Sequence, residues 1–166
     1  MTPNMIKDIA LSPAALKAFY RITESLSAGV LDRRIRELVP LTVAEINRST
    51  YCLSAYTAIG RINGLNEDEI EAGRRGESDN ERVRAGLAFA RAVVKKQGKL
   101  SDQDMQAARE AGFSNQEIVE IIAHVALSNF TNYLTEIVGT PIGFPKVQPM
   151  QDDMEKSNSD VEWRGQ

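Results

Sequence analysis

The residues best able to do chemistry lie in a short segment around the chain's single cysteine. Cys52 has Ser49 three positions before it and Tyr56 four positions after it. Residues three and four positions apart are neighbours on a helix surface, so the three side chains share one helix face. If this segment opens a helix, the positive end of the helix dipole lies close to the sulfur and favours the thiolate, the nucleophilic form of cysteine.

A carboxylate upstream could serve the same site. Glu37 precedes Ser49 by 12 residues and lies on a different helical segment. It could accept or relay a proton if the fold brings the two segments together. A free cysteine is nevertheless more often an inert buried residue than a catalyst. Taken alone, the residue types favour a structural role for Cys52.

The elements that must position these residues are helices. Ser12 before Pro13 places a capping hydroxyl ahead of a proline at the first helical position. Asn66 followed by Glu69 has the spacing of a capping box, and two similar pairs follow downstream. These signals and the apolar periodicity predict an all-α fold. The predicted helices lie near 13–29, 32–47, 49–63, 66–75, 80–97, 102–111 and 115–138.

Two features interrupt this pattern. Pro40 lies inside the helix predicted over 32–47, where a proline removes a hydrogen bond, so this helix is expected to begin late or to bend. From Val147 onward the composition is polar, which predicts a helical domain over 1–146 and a poorly ordered tail over 147–166. If the tail is ordered, Trp163 docking on a neighbouring subunit is the expected cause.

Composition excludes several classes of function. A net charge of −3 gives no basis for general binding to nucleic acid or membranes. One histidine and one cysteine cannot form a usual zinc site, and no phosphate-binding glycine loop is present, so no cofactor and no metal are expected. The chain lacks a signal-peptide pattern, and its longest apolar stretch is too short to span a bilayer. With one cysteine favouring a reducing compartment, we expect a cytoplasmic protein.

The segment around Cys52 resembles a known family. Glu37, Ser49, Cys52 and Tyr56 occupy the spacing of Glu-x11-Cys-x-x-Cys-x3-His, the signature of the alkylhydroperoxidase D (AhpD)-like, carboxymuconolactone decarboxylase superfamily. Further segments that are similar to its peroxidase-related branch are 58–60, 64–70, 74–78, 88–91, 111–127 and 129–133. The resemblance implies an AhpD-like helical bundle of about six to seven helices. It also implies a homo-oligomer, commonly a trimer or a hexamer.

The resemblance also implies a chemistry. In this family the second motif cysteine attacks a peroxide, the first resolves the sulfenic acid as a disulfide, and the Glu and His relay protons. Cys52 is thereby expected to be the attacking thiol and Glu37 the relay carboxylate. Ser49 stands at the resolving position, so oxidised Cys52 would need an external thiol reductant. Tyr56 stands at the histidine position and cannot act as a base near neutral pH.

His124, the chain's only histidine, lies in the apolar run of the last predicted helix. A core histidine is the favoured interpretation. Because the last helix packs near the motif helix in the family, His124 is also a candidate to supply the imidazole that position 56 lacks.

Three functions stay open at this point. The first is a thiol-dependent peroxidase, an antioxidant oxidoreductase that reduces hydroperoxides through Cys52 and is impaired or of one-cysteine type. The second is a redox-inactive family member that acts as a binding or structural oligomer. The third, with least support, is a decarboxylase-type enzyme.

Overall fold

The structure, a computed structural model, describes residues 2–151. Within that range the chain forms eight helices and no strand. In order they are α1 (Asn4–Ile9), α2 (Pro13–Ser27), α3 (Arg33–Ile46), α4 (Thr50–Ile62), α5 (Glu67–Arg75), α6 (Glu81–Lys95), α7 (Asp102–Glu110) and α8 (Asn115–Val138). The predicted all-α class is confirmed. The bounds of α2 to α8 agree with the predicted helices to within two residues at each end.

The short helix α1 was missed, which makes the count eight rather than six to seven. It has no side-chain cap at Pro3, so its sequence carries no start signal. Tertiary contacts hold it instead. The backbone N–H of Met5 donates to the Tyr51 hydroxyl at 3.0 Å, and the Thr140 hydroxyl donates to the Asp8 carboxylate at 2.6 Å.

Helix α3 is central and contacts α4, α5, α6 and α8. It runs without interruption through Pro40, so the expected late start is wrong. Its N-terminus is capped by the Asp32 carboxylate, which accepts from the N–H of Arg34 at 2.8 Å. An interior proline costs a helix about 3 kcal/mol, whereas each fully buried aliphatic side chain stabilises by about 1.5–3 kcal/mol. The residues that α3 buries are Ile35, Leu38, Val39, Leu41, Thr42, Val43 and Ala44.

A small buried cluster surrounds the cysteine, separate from the main core between α3, α6 and α8. Its buried members are Ala44, Tyr51, Cys52, Leu53 and Ala55. Met5 of α1 and Phe144 of the segment after α8 pack against it, and Phe144 meets the Tyr51 ring edge-on with centroids 6.1 Å apart. The two ends of the described chain therefore pack against the cluster that contains Cys52.

The segment after α8 is tied to the helical body. The N–H of Val147 donates to the Ser54 hydroxyl at 2.9 Å, and the N–H of Met150 donates to a Glu45 carboxylate oxygen at 2.6 Å. The division into a domain over 1–146 and a tail over 147–166 stays a prediction. Residues 152–166, with Trp163, lie outside the described residues.

Glu120 of α8 anchors the loop between α2 and α3. Its carboxylate accepts from the N–H of Val30 at 3.1 Å and from that of Leu31 at 2.9 Å. Burial opposes its ionisation, but these two donors together with Gln116 and His124 hold the pKa of Glu120 below its ordinary value. We expect Glu120→Ala to lower the free energy of unfolding by about 1–3 kcal/mol, measured by urea denaturation. Glu136→Ala, at an exposed position of the same helix, is the control and is expected to change little.

Candidate active site

Cys52 lies in the first turn of α4, and Ser49 is the N-cap of that helix. The Ser49 hydroxyl accepts from the N–H of Cys52 at 3.4 Å. Arg48, with a left-handed φ of 54°, makes the tight turn from α3 into this cap. Serine is among the preferred N-cap residues, so position 49 stabilises the helix that carries the sulfur. Both Ser49 and Cys52 are only 2% exposed.

Two threonines of α8 face the sulfur. Thr135 Oγ1 lies 3.7 Å from Cys52 Sγ and Thr131 Oγ1 lies 4.0 Å from it. The Tyr56 hydroxyl reaches the same Thr131 oxygen at 3.2 Å. The structure thus brings Ser49, Cys52 and Tyr56 together with two hydroxyls that the sequence analysis did not identify. The signal for them was a run of small polar residues at helical spacing in the last helix.

Both threonine hydroxyls already donate their protons to backbone carbonyls of α8. Thr131 donates to the Ser128 carbonyl at 2.9 Å, and Thr135 donates to the Thr131 carbonyl at 3.0 Å or the Asn132 carbonyl at 3.1 Å. A hydroxyl has one proton, so both oxygens act as acceptors toward α4. This arrangement suits a protonated sulfur that donates to threonine. A threonine hydroxyl must break its hydrogen bond to the backbone carbonyl before it can donate to a thiolate.

Tyr56 is a hydrogen-bond donor in this network. Burial raises the pKa of its phenol well above the ordinary value, and a negative charge on Cys52 raises it further, while the Thr131 hydrogen bond acts in the opposite direction. The phenol is therefore protonated at neutral pH and donates to Thr131. The phenol can donate a hydrogen bond to a ligand oxygen, but it cannot act as a base.

Glu37 lies on α3 and its side chain is 11% exposed. Oε1 accepts from Arg33 Nε at 2.8 Å, whereas Oε2 is buried, lies 3.6 Å from Arg34 Nη1 and accepts no hydrogen bond. Arg33 also donates to the carbonyl of Asn63, just past the end of α4. Within residues 2–151, no hydrogen bond joins Glu37 to Cys52 or Tyr56. Arg33 thus links Glu37 to the C-terminal end of α4, whereas Cys52 lies in the first turn of that helix.

His124 lies away from the sulfur. It precedes Thr131 by two turns of α8, a rise of about 10 Å along the helix axis. The charges that act on it are those of Arg36 and Glu120, near the loop between α2 and α3. Its Nε2 is buried without a hydrogen-bond partner. The geometry favours a structural histidine.

His124 makes stability depend on pH. Burial lowers its pKa below the ordinary value of 6.5, Arg36 lowers it further, and Glu120 opposes the change. Below pH 6.5 the unfolded chain binds a proton that the folded chain refuses, so the free energy of unfolding falls as pH drops from 6.5 through the lower folded pKa. We expect His124→Phe to reduce this loss, measured as the wild-type-minus-variant difference in urea denaturation at neutral and mildly acidic pH. A wild-type-minus-variant difference that is the same at both pH values would contradict the assignment of this pH dependence to His124.

Three surface cavities lie apart from the cysteine site, which comprises Ser49, Cys52, Tyr56, Thr131 and Thr135. Their volumes are about 1110, 380 and 510 Å³. Among the described residues, no three His, Cys, Asp or Glu side chains lie together in a way that could hold a metal ion. None of the eight helices has both the length and the apolar character needed to cross a membrane.

A family model places the chain among known proteins. The model of the carboxymuconolactone decarboxylase family matches residues 13–93, which hold Glu37, Ser49, Cys52 and Tyr56. Residues 13–93 belong to this family. The resemblance noted in the sequence is thereby confirmed. No curated protein sequence matches the chain.

Several solved structures share the fold of this chain. A peroxidase-related protein with an AhpD core from Ralstonia eutropha JMP134 is 27% identical, with a TM-score of 0.75 over 86% of this chain and 78% of that one. One from Silicibacter sp. TM1040 is 24% identical, with a TM-score of 0.75 over 89% and 78%. The debrominase Bmp8 is 23% identical, with a TM-score of 0.75 over 86% and 78%. The predicted AhpD-like fold is confirmed.

Proposed function

We propose that this chain is a one-cysteine thiol peroxidase that reduces hydroperoxides through Cys52. The observation that carries the proposal is the position of Cys52 Sγ, in the first turn of α4 and beside the hydroxyls of Thr131 and Thr135. The first turn of a helix is a position typical of reactive cysteines, and the hydroxyls offer polar contacts to a bound peroxide. Membership of the family and the peroxidase-related neighbour from Ralstonia eutropha support the same chemistry.

The proposed cycle uses one sulfur and an external thiol. The Cys52 thiolate attacks a peroxide oxygen, the S–O bond forms as the O–O bond breaks, and the alkoxide leaves as an alcohol after taking a proton. One external thiol converts the sulfenic acid to a mixed disulfide and releases water. A second thiol restores Cys52 and leaves as part of a disulfide. The requirement for this reductant fits a cytoplasmic setting, where thiols are kept reduced.

Within this cycle, the neighbours of Cys52 have different roles. Tyr56, protonated in its buried position, donates a hydrogen bond toward the departing oxygen, either directly or through Thr131. Glu37 makes no hydrogen bond to Cys52 or Tyr56, so it can exchange protons with the site only through intervening water, from its buried Oε2. Ser49 holds the turn that positions the sulfur. His124 takes no part.

The burial of Cys52 limits the rate. Because Cys52 is only 2% exposed, a peroxide reaches the sulfur only when part of the surrounding structure moves. We expect small peroxides to react faster than bulky ones for this reason. This order is checked by comparing hydrogen peroxide with cumene hydroperoxide in the assay that follows.

The direct test is peroxide consumption by the full chain with and without a monothiol such as glutathione. A one-cysteine peroxidase consumes about one equivalent of peroxide per chain without thiol and turns over repeatedly when thiol is present. The rate is expected to rise in proportion to protein concentration. Consumption no faster than that of glutathione alone would overturn the proposal.

One alternative has a specific observation in its favour. The hydrogen bonds around Cys52 suit a protonated sulfur, as expected for a redox-inactive member that acts as a binding or structural oligomer. The same assay separates the two, because an inactive member consumes no peroxide above background. The fold alone does not choose between substrates, since a debrominase shares it. No observation favours the decarboxylase-type alternative.

We further propose that the chain forms homo-oligomers, trimers or hexamers, through the outer face of α8. Large apolar side chains follow one another along this face at steps of three, four or eight residues. They are Val119, Ile122, Phe130, Tyr133 and Ile137, all exposed in the single chain. The stripe runs most of the length of a 24-residue helix, about 36 Å. Soluble monomers rarely expose a continuous apolar patch of this length, and a second copy offers an identical stripe to cover it.

A charge placed in the stripe is expected to prevent assembly. Phe130 and Ile137 are 42% and 84% exposed, so Phe130→Glu with Ile137→Glu costs the isolated fold little while it disrupts an apolar contact. Sedimentation velocity should show the double variant at the mass of a single chain and the wild type at a multiple of it. The control is Glu136→Gln, between the stripe residues in sequence. A wild type that sediments as a monomer would contradict the proposal.

A further inference from the structure

A cationic cavity lies where the C-terminal ends of α3, α5 and α6 meet. Its volume is about 510 Å³, within the range of small-molecule sites. The cationic residues in its lining are Arg48, Arg74, Arg75, Arg91 and Lys95. Glu45 is the carboxylate of the lining, and Ile46 and Met150 supply an apolar portion. Positive charge therefore exceeds negative charge in the wall of this cavity.

Part of the charge is neutralised within the protein. Arg74 pairs with Glu45 at 2.7 Å, and Arg75 pairs with Glu71 and Glu77 at 2.6 and 2.9 Å. The helix ends that meet here each carry about half a negative charge, which offsets some of the remainder. These partners account for the cations contributed by α5. Of the others, Arg91 and Lys95 lie on α6 and Arg48 lies in the turn before α4.

Arg91 and Lys95 have no acidic partner in the part of the chain that the structure describes. They lie four residues apart on α6, where like charges repel each other. Arg91 donates to the carbonyl of Arg75 at 2.7 Å. Gly76 permits this approach, because a Cβ at that position would overlap Arg91 Cδ. Two cations on one helix face thus border the cavity, and one of them is held in place.

We propose that this cavity binds a small phosphorylated ligand that carries at least two negative charges and a short apolar group. Arginine side chains match the geometry of phosphate oxygens, and Arg91 and Lys95 offer the uncompensated charge. Ile46 and Met150 accommodate the apolar group. Arg48 immediately precedes the N-cap Ser49, so such a ligand would contact the turn that begins α4. The proposal does not depend on peroxidase activity.

The chain itself offers a competing source of negative charge. Gln151 lines the cavity, and the sequence that follows includes Asp152, Asp153 and Glu155. These acids could supply intramolecularly what the proposal assigns to an external ligand. A triple variant that neutralises them, Asp152→Asn with Asp153→Asn and Glu155→Gln, separates the two sources.

The test is calorimetric titration of the full chain with inorganic pyrophosphate at neutral pH and low ionic strength. We expect one site per chain, with affinity lowered about tenfold or more in Arg91→Gln with Lys95→Gln, as for the loss of charge-assisted contacts. The control, Lys17→Gln with Lys99→Gln, removes the same charge from exposed positions elsewhere and should bind as the wild type does. Thermal melting verifies that each variant is folded.

Three results would overturn the proposal. One is the absence of saturable binding in both the wild type and the triple variant. Another is an equal loss of affinity in the two lysine-containing double variants, which would indicate general charge attraction. The third is binding that appears only in the triple variant, which would assign the cavity to the chain's own acidic residues.

Discussion

Replacing Cys52 with alanine is expected to abolish thiol-dependent peroxide reduction. Cys52 is the chain's single cysteine, so no second thiol can take over the attack on the O–O bond. Loss of a nucleophile costs a reaction on the order of 100-fold or more, which here means a fall to the rate of the external thiol alone. The measurement is the initial rate of hydrogen peroxide loss at a fixed concentration of glutathione.

A fall in rate could also follow from a disturbed core, because Cys52 is buried. Cys52→Ser nearly keeps the volume and places a third hydroxyl beside Thr131 and Thr135, and it should lose activity to the same extent. Wild-type melting temperatures in either variant would assign the loss to the thiol. A variant that kept the wild-type rate would show that Cys52 takes no part in the reaction.

Placing a cysteine at position 49 is expected to raise peroxide turnover about tenfold or more with a dithiol reductant. Ser49 and Cys52 span the first turn of α4, and Ser49 Oγ already lies 3.4 Å from the Cys52 nitrogen. A thiol in that position would resolve the Cys52 sulfenic acid as an intramolecular disulfide. Intramolecular attack has a large effective concentration, so it outpaces an external thiol. Losing the serine cap costs the fold about 1 kcal/mol, which reduces stability but not the gain in turnover.

Ser49→Ala is the matched control for this gain. It removes the same cap without adding a thiol, so it should show the stability loss and wild-type turnover. Mass spectrometry of Ser49→Cys after one equivalent of peroxide should show a disulfide between positions 49 and 52. Oxidation of Cys52 without that disulfide would contradict the geometry, and a disulfide without faster turnover would place the limit at Glu37 and Tyr56.

The helices could be predicted because their signals are local. Asn66 with Glu69, Ser101 with Asp104 and Ser114 with Glu117 form the expected capping boxes at the starts of α5, α7 and α8. Each box satisfies backbone donors within one turn, so sequence spacing suffices to identify it.

Features that depend on distant contacts could not be predicted in this way. Helix α1 has no cap and exists through Tyr51 and Thr140, which lie far along the chain. Pro40 is accommodated because four other helices pack against α3. The residues around position 40 give no local signal of these long-range contacts.

The candidate site likewise combines features that local spacing predicts with features that depend on helix packing. The face shared by Ser49, Cys52 and Tyr56 follows from helical spacing alone. The threonines that contact the sulfur come from α8, and their part depends on how α4 and α8 pack. Packing also places His124 within the electrostatic influence of Arg36 and Glu120 and away from Cys52. At position 49, the resemblance implied a missing resolving thiol, and the structure adds that serine caps the helix.

The most direct test of Cys52 as the working thiol is to trap its sulfenic acid. The full chain is exposed to hydrogen peroxide in the presence of dimedone, and the adduct on Cys52 is followed by mass spectrometry, with Cys52→Ala as the blank. The account predicts an adduct that forms faster than the oxidation of free cysteine in the same buffer. Oxidation of Cys52 no faster than that of free cysteine would contradict it.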